Sequence, residues 1–220
     1  MASNQSEVFN YTDAIKAVCA DICRKMPEFQ HIDVGRVAFG IAVAKNRAER
    51  AGEWADVTPM RFKDGWNVIV RKTSSPLWGT KTRYLTTQQV LDAEKRPFLY
   101  IMTVMVPRFY NLTAKEKLRT IMHELYHISP NFDGDVRRFP GRNWQHGSKQ
   151  TYNARAEALA QKWLETEPDP TLYGFLALNQ EQLCERFKRV VAWKCPRIKI
   201  VEITRAFALE LEPRIAELEK

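Results

Sequence analysis

The chain has 220 residues, 45% of them apolar, 27% charged and 11% aromatic, which is the composition of an ordinary folded protein with room for a proper core. No stretch approaches the ~18 consecutive apolar residues of a membrane-spanning helix, and MASNQSEVFN has no basic region followed by an apolar run, so a secretory leader and a membrane location are not expected and a cytoplasmic one is. The formal charge of +8 and the pI near 9.4 favour anionic partners.

In chain order, Tyr11 to Met26 reads as a helix capped by Thr12 or Asp13 and stopped by Pro27. Its apolar face carries Ile15, Val18, Cys19, Ile22 and Cys23, so these two of the four cysteines are expected to be buried thiols rather than ligands. Val34 to Val43 alternates in strand fashion, with Val37, Phe39, Ile41 and Val43 on one face. Asn46 to Thr58 is charged and reads as irregular. Two further strands are expected near Trp66 to Arg71 and Trp78 to Leu85. Thr86 to Lys95 suggests a short helix, and Leu99 to Val106 a strand ended by Pro107.

Thr113 to His127, TAKEKLRTIMHELYH, is the most informative stretch. Thr113 and Glu116 form a capping-box pair, and Leu118, Ile121, Met122, Leu125 and Ile128 make the apolar stripe of an amphipathic helix. His123 and His127, one turn apart, lie on one face of that helix with Glu124 beside them. Two imidazoles at this spacing suit one zinc ion. A neighbouring carboxylate suits the general base that takes a proton from the water the ion activates. Three of the four histidines (His123, His127 and His146) fall within 24 residues.

An open catalytic zinc site needs a third protein ligand. His146 is the first candidate. Glu157, on the next expected helix, is its rival, and Asp133 and Asp135 are weaker because Asp-Gly-Asp also reads as a turn. The long Ser129 to Lys149 loop, with Phe132, Phe139 and Trp144 as anchors, reads as an ordered flap over the site. For the donor that stabilises a tetrahedral oxyanion, the candidates are Tyr152, Arg137 and Arg142.

Thr151 to Glu165 reads as a helix, Pro168 and Pro170 as a break, and Leu172 to Ala192 as mostly helical. Arg197 to Ile203 alternates as a strand, and Thr204 to Glu219 as a helix interrupted at Pro213. A catalytic core over 1–166 is therefore expected, with a basic, mostly helical extension over 167–220 packed on it. From Arg186 to Lys199 there are six basic residues (Arg186, Lys188, Arg189, Lys194, Arg197 and Lys199) and no acidic one, interleaved with Phe187 and Trp193. Cations beside aromatic rings suit single-stranded DNA.

HELYHISP, FDGDVRRF and the later His146-Gly147 resemble the zincin-type metallopeptidases of phages and bacteria, and HELYH followed by a downstream His-Gly is also similar to SprT-like zinc peptidases. The paired Cys-x-x-Cys of a zinc ribbon is missing, so the phage-type family is the better match. The resemblance implies an α+β zincin-like fold, with a small mixed or antiparallel sheet against the HExxH helix. It implies one zinc ion on His123, His127 and His146, and Glu124 as catalytic base. It also implies a protein substrate laid along an edge strand for which Leu99 to Val106 is a candidate; one cognate protein is a further expectation for that partner. The competing reading is a single-stranded nucleic-acid-binding regulator in which the zinc site is structural or DNA controls the peptidase.

Overall fold

The computed structural model describes residues 8–43, 54–75, 77, 79–139 and 149–218. Its elements, in chain order, are β1 (Phe9–Asn10), α1 (Tyr11–Lys25), β2 (Val37–Val43), β3 (Ala55–Pro59), β4 (Val68–Ser75), β5 (Gly79–Thr87) and β6 (Tyr100–Val106). The motif helix α2 (Ala114–His127) and α3 (Lys149–Leu164) follow. The chain continues with α4 (Pro170–Tyr173), α5 (Gln180–Arg186), β7 (Val190–Val191), β8 (Ile200–Ile203), α6 (Arg205–Leu211) and α7 (Ile215–Leu218).

The fold is α+β, with small sheets of mixed and antiparallel type. The first has the order β2-β6-β3, with β2 parallel and β3 antiparallel to β6. Every residue of β6 is buried, as a central strand covered on both faces requires. Leu99 to Val106 is therefore not the edge strand: β6 holds the middle, and β3 lies at the edge. Tyr100, Met102, Val104 and Val106 pack with Val37, Phe39, Ala55 and Val57 against the apolar faces of α1, α2 and α3. Ile101 points the other way, into a smaller cluster with Ala38 and Met60. The second sheet, β4-β5-β8, is antiparallel. Its Val68, Tyr84 and Ile203 pack against Ala208, Leu209, Leu211 and Ile215 of the last two helices. No helix among the described residues is long and apolar enough to cross a membrane.

Several expectations need correction. The cap of α1 is Asn10, whose side-chain oxygen accepts from the Asp13 N–H, not Thr12 or Asp13. Ala55–Pro59 is a strand rather than irregular chain, because β6 offers it a ladder. The helix expected over Thr86 to Lys95 is absent. Thr86 and Thr87 instead continue β5, paired to Val68 and to Val201 and Ile200, while their hydroxyls donate to the carbonyls of Asn67 and Met60. Leu172 to Ala192 contains only short helical pieces and then β7, parallel to β1.

Cys19 and Cys23 are buried and free. Burial pushes both thiols well above their ordinary range, Cys23 to about 12. Phe175, Leu176 and Leu183 of the C-terminal third enter the main core with the three long helices.

Candidate metal centre

α2 starts where its sequence says it should. Thr113 accepts from the Glu116 N–H while Glu116 accepts from the Thr113 N–H, a reciprocal capping box that satisfies two of the first turn's orphan donors. Leu118, Ile121, Met122 and Leu125 are buried at 4% exposure or less, which fixes the rotation of the helix about its axis. That rotation leaves His123 and His127 half-buried and Glu124 only 6% exposed.

The far end of the helix is held by one residue. Arg137 donates from its backbone N–H to the His127 carbonyl at 2.6 Å and from Nε to the Tyr126 carbonyl at 2.9 Å. Its guanidinium lies over the Tyr126 ring, 4.2 Å from the centroid. A cation beside the last carbonyls meets both the unpaired acceptors and the negative end of the helix dipole. Arg155 reaches the same ring from α3 and donates to the Tyr126 hydroxyl.

The two imidazoles lie edge to face, with ring centroids 4.8 Å apart and planes 68° apart. Two imidazoles sharing one tetrahedral zinc ion, with Zn–N bonds of about 2 Å, have ring centres about 5 Å apart. The pair thus fits the ion in chemistry and in spacing. Tyr152 closes one side. Its ring is 4.5 Å from that of His123 and stacked on His127 at 4.8 Å, and its hydroxyl donates to the His123 carbonyl at 3.5 Å. Burial, followed by the negative charge of Glu124, drives the Tyr152 phenol far above its ordinary range.

The other sequence candidates are distributed as follows. Glu157 pairs with Lys115, two turns and about 12 Å along α2 from His123; that pairing lowers its carboxyl. Asp133 accepts the Asp135 N–H as a turn former. Asp135 is buried, takes two hydrogen bonds from Arg138 and accepts the Asp64 N–H. His146, Arg142 and Trp144 lie outside the described residues, and among the described residues no group of three or more His, Cys, Asp or Glu side chains could hold a metal ion.

In the C-terminal basic stretch, the Phe187 ring stacks on Phe9 at 4.3 Å. Trp193 covers Gly40, where an added Cβ would come within 2.7 Å of the indole. Both rings are thereby engaged in packing, with Trp193 still 39% exposed. Arg186, Lys188, Arg189, Lys194, Arg197 and Lys199 are exposed.

Tyr100 was not a sequence candidate, yet it ties the segment after α2 to the sheet. Its hydroxyl donates to the Asp135 carbonyl at 2.7 Å and accepts from the Gly134 N–H at 3.0 Å, and its ring packs on Phe132. In a strand whose only polar groups are the hydroxyls of Tyr100 and Thr103, a tyrosine at its first position was the available signal. Phe139 then reaches back to the Tyr126 and Tyr152 rings.

No curated protein and no solved structure matches the chain. A family model described as "Putative phage metallopeptidase" matches residues 8–151, from just before β1 through the motif helix to the first turn of α3. That span is well over half the sequence and includes both facing imidazoles and the carboxylate between them, so the chain belongs to this metallopeptidase family.

Proposed function

We propose that this protein is a zinc-dependent peptidase that hydrolyses a protein substrate, with His123 and His127 as metal ligands, His146 as the third and Glu124 as general base. The observation that carries the reading is the close, edge-to-face pair of imidazoles at the end of a capped helix, with the Glu124 carboxylate next to His123 and three residues before His127. A zinc ion bound there supplies Lewis acidity toward the scissile carbonyl and makes water acidic enough to ionise near neutral pH.

The remaining work falls to the chain. Glu124 takes the proton of the attacking water and returns it to the leaving nitrogen. Tyr152 holds both imidazole planes by packing and by its bond to the His123 carbonyl. Arg137 fixes the helix end that carries them. At the edge of the first sheet, β3 lies beside α2. An extended substrate adding to that edge would be held mainly through its backbone, giving affinity with little sequence choice.

The test is Glu124→Gln assayed on a panel of unfolded protein substrates, alongside zinc analysis. The variant is expected to keep its zinc and lose cleavage by about 100-fold or more, the usual worth of a positioned general base. Cleavage at the parent rate would remove Glu124 from the mechanism.

A further inference from the structure

The second sheet has a part that the peptidase reading does not use. β8 pairs only with Tyr84–Thr87 of β5. From Arg71 opposite Arg83 outward to Ser75 opposite Gly79, β4 and β5 therefore form a two-stranded ribbon with no third strand beside it among the described residues. At a rise of about 3.4 Å per residue it extends about 14 Å. Apart from the half-buried Ser75, its strand residues from Arg71 to Arg83 are exposed, and Leu77 in the connecting turn is 85% exposed, so the ribbon stands clear of the body.

Residues 66–87 hold four cations, Arg71, Lys72, Lys81 and Arg83, and no acidic residue. Alternation along the strands places Arg71, Lys81 and Arg83 on one face and Lys72 on the other. Arg71 and Arg83 are directly opposite each other, a like-charge pairing that costs a hairpin stability rather than adding to it. The Arg83 to Glu202 contact, at 3.7 Å between half-exposed groups, offsets little of that charge. The other strand positions of the ribbon are Thr73, Ser74, Ser75, Thr80, Thr82 and Gly79, and hydroxyl side chains beside Arg and Lys are the usual donors to phosphate oxygens.

We propose that the β4–β5 ribbon is an arm that binds double-stranded DNA, entering a groove with its cations against the phosphates. Charge complementarity points to a polyanion, and the shape selects which one. A two-stranded ribbon fits a major groove about 12 Å wide. Three cations on one face and Lys72 on the other suit a groove with a row of phosphates on either side, whereas a flat anionic surface would meet one face only.

The test is the affinity of the full chain for a labelled mixed-sequence duplex of about 20 base pairs, measured between about 50 and 200 mM salt. Four phosphate contacts give a log–log slope near −3.6, a loss of about 150-fold in affinity over that range. The exposed-site variant Arg71→Gln/Lys72→Gln/Lys81→Gln/Arg83→Gln is expected to melt like the parent, to lose at least about tenfold in low-salt affinity and to flatten the slope by about 3.6. A charge-matched control, Arg186→Gln/Lys188→Gln/Arg189→Gln/Lys194→Gln, is expected to change the slope by less than about 1.

Equal losses in the two variants would mean that net charge alone binds, and would overturn the proposal. So would tighter binding of a single-stranded oligonucleotide or of phosphatidylserine vesicles than of the duplex. A ribbon variant that self-associates with unchanged duplex affinity would also overturn it, assigning the charges to keeping free strand edges apart.

Discussion

The Tyr152 ring lies stacked on His127, centroids 4.8 Å apart and planes 23° apart, while touching His123 at 4.5 Å. One side chain from α3 thus sets the attitude of both imidazoles on α2. If this packing is its contribution, Tyr152→Phe keeps zinc affinity and cleavage within a few-fold. Tyr152→Ala weakens zinc by about 10- to 100-fold, as losses in the shell behind a metal ligand do. Zinc competition titrations on both variants check this. A loss of 100-fold or more in kcat for the Phe variant, with zinc affinity intact, would instead give the hydroxyl the oxyanion role.

Lys117 is fully buried on the same helix, donating from Nζ to the Leu176 carbonyl at 2.9 Å and the Leu178 carbonyl at 2.7 Å. Burial pulls its ammonium down from an ordinary 10.5 to about 8. Between about pH 8 and 10.5 the unfolded chain holds this proton and the folded chain has released it, so the unfolded state binds more protons and stability rises with pH. Below pH 8 both states are charged and the penalty is constant. Chemical denaturation of the parent and of Lys117→Met across that window should show a difference in slope, integrating to on the order of 1–3 kcal/mol. Parallel curves would show that the site does not tune this amine.

The capping box makes a smaller claim. Thr113→Ala removes the acceptor for the Glu116 N–H and is expected to cost about 1 kcal/mol, or a fall in Tm of about 2–4 °C for a chain of this size. Thermal melting decides it. An unchanged Tm would mean that tertiary packing alone holds the start of α2.

Gly134 sits at φ +88°, and a Cβ there would collide with the Arg61 side chain at Cγ. Gly134→Ala is therefore both strained and crowded, at a cost on the order of 1–3 kcal/mol. Because its N–H donates to the Tyr100 hydroxyl, the change should also loosen the turn leading to Arg137. Hydrogen exchange at the Arg137 amide, bonded to the His127 carbonyl, is expected to quicken. Slow exchange there with an unchanged Tm would contradict the account of this turn.

What the sequence disclosed and what it hid have a common physical cause. The motif helix, its cap, its apolar stripe and the one-turn separation of its histidines are all specified within 15 residues, so local rules suffice. The restart of the last helix at Pro213 and the burial of Cys19 and Cys23 are equally local. β3 was hidden because ADVTP has weak alternation of its own and becomes a strand only against β6. Thr86 and Thr87 looked like helix caps for the same reason in reverse: their ladder partners are Val68 in the preceding strand on one side and Val201 and Ile200, more than a hundred residues later, on the other. Tyr152 was legible as a candidate donor, but its position against two imidazoles depends on how α3 returns along α2. Arg137 was in view only as a candidate oxyanion donor; its place at the helix end comes from the turn after Gly134.

Metal analysis of the purified full chain, carried out together on the parent, Glu124→Gln and His123→Ala/His127→Ala, bears most directly on the central claim. The expected result is one zinc ion per chain in the parent and in the Glu124 variant, and none in the double histidine variant. A parent that takes up no zinc, or a double variant that keeps it, would contradict the claim that these two rings hold the metal.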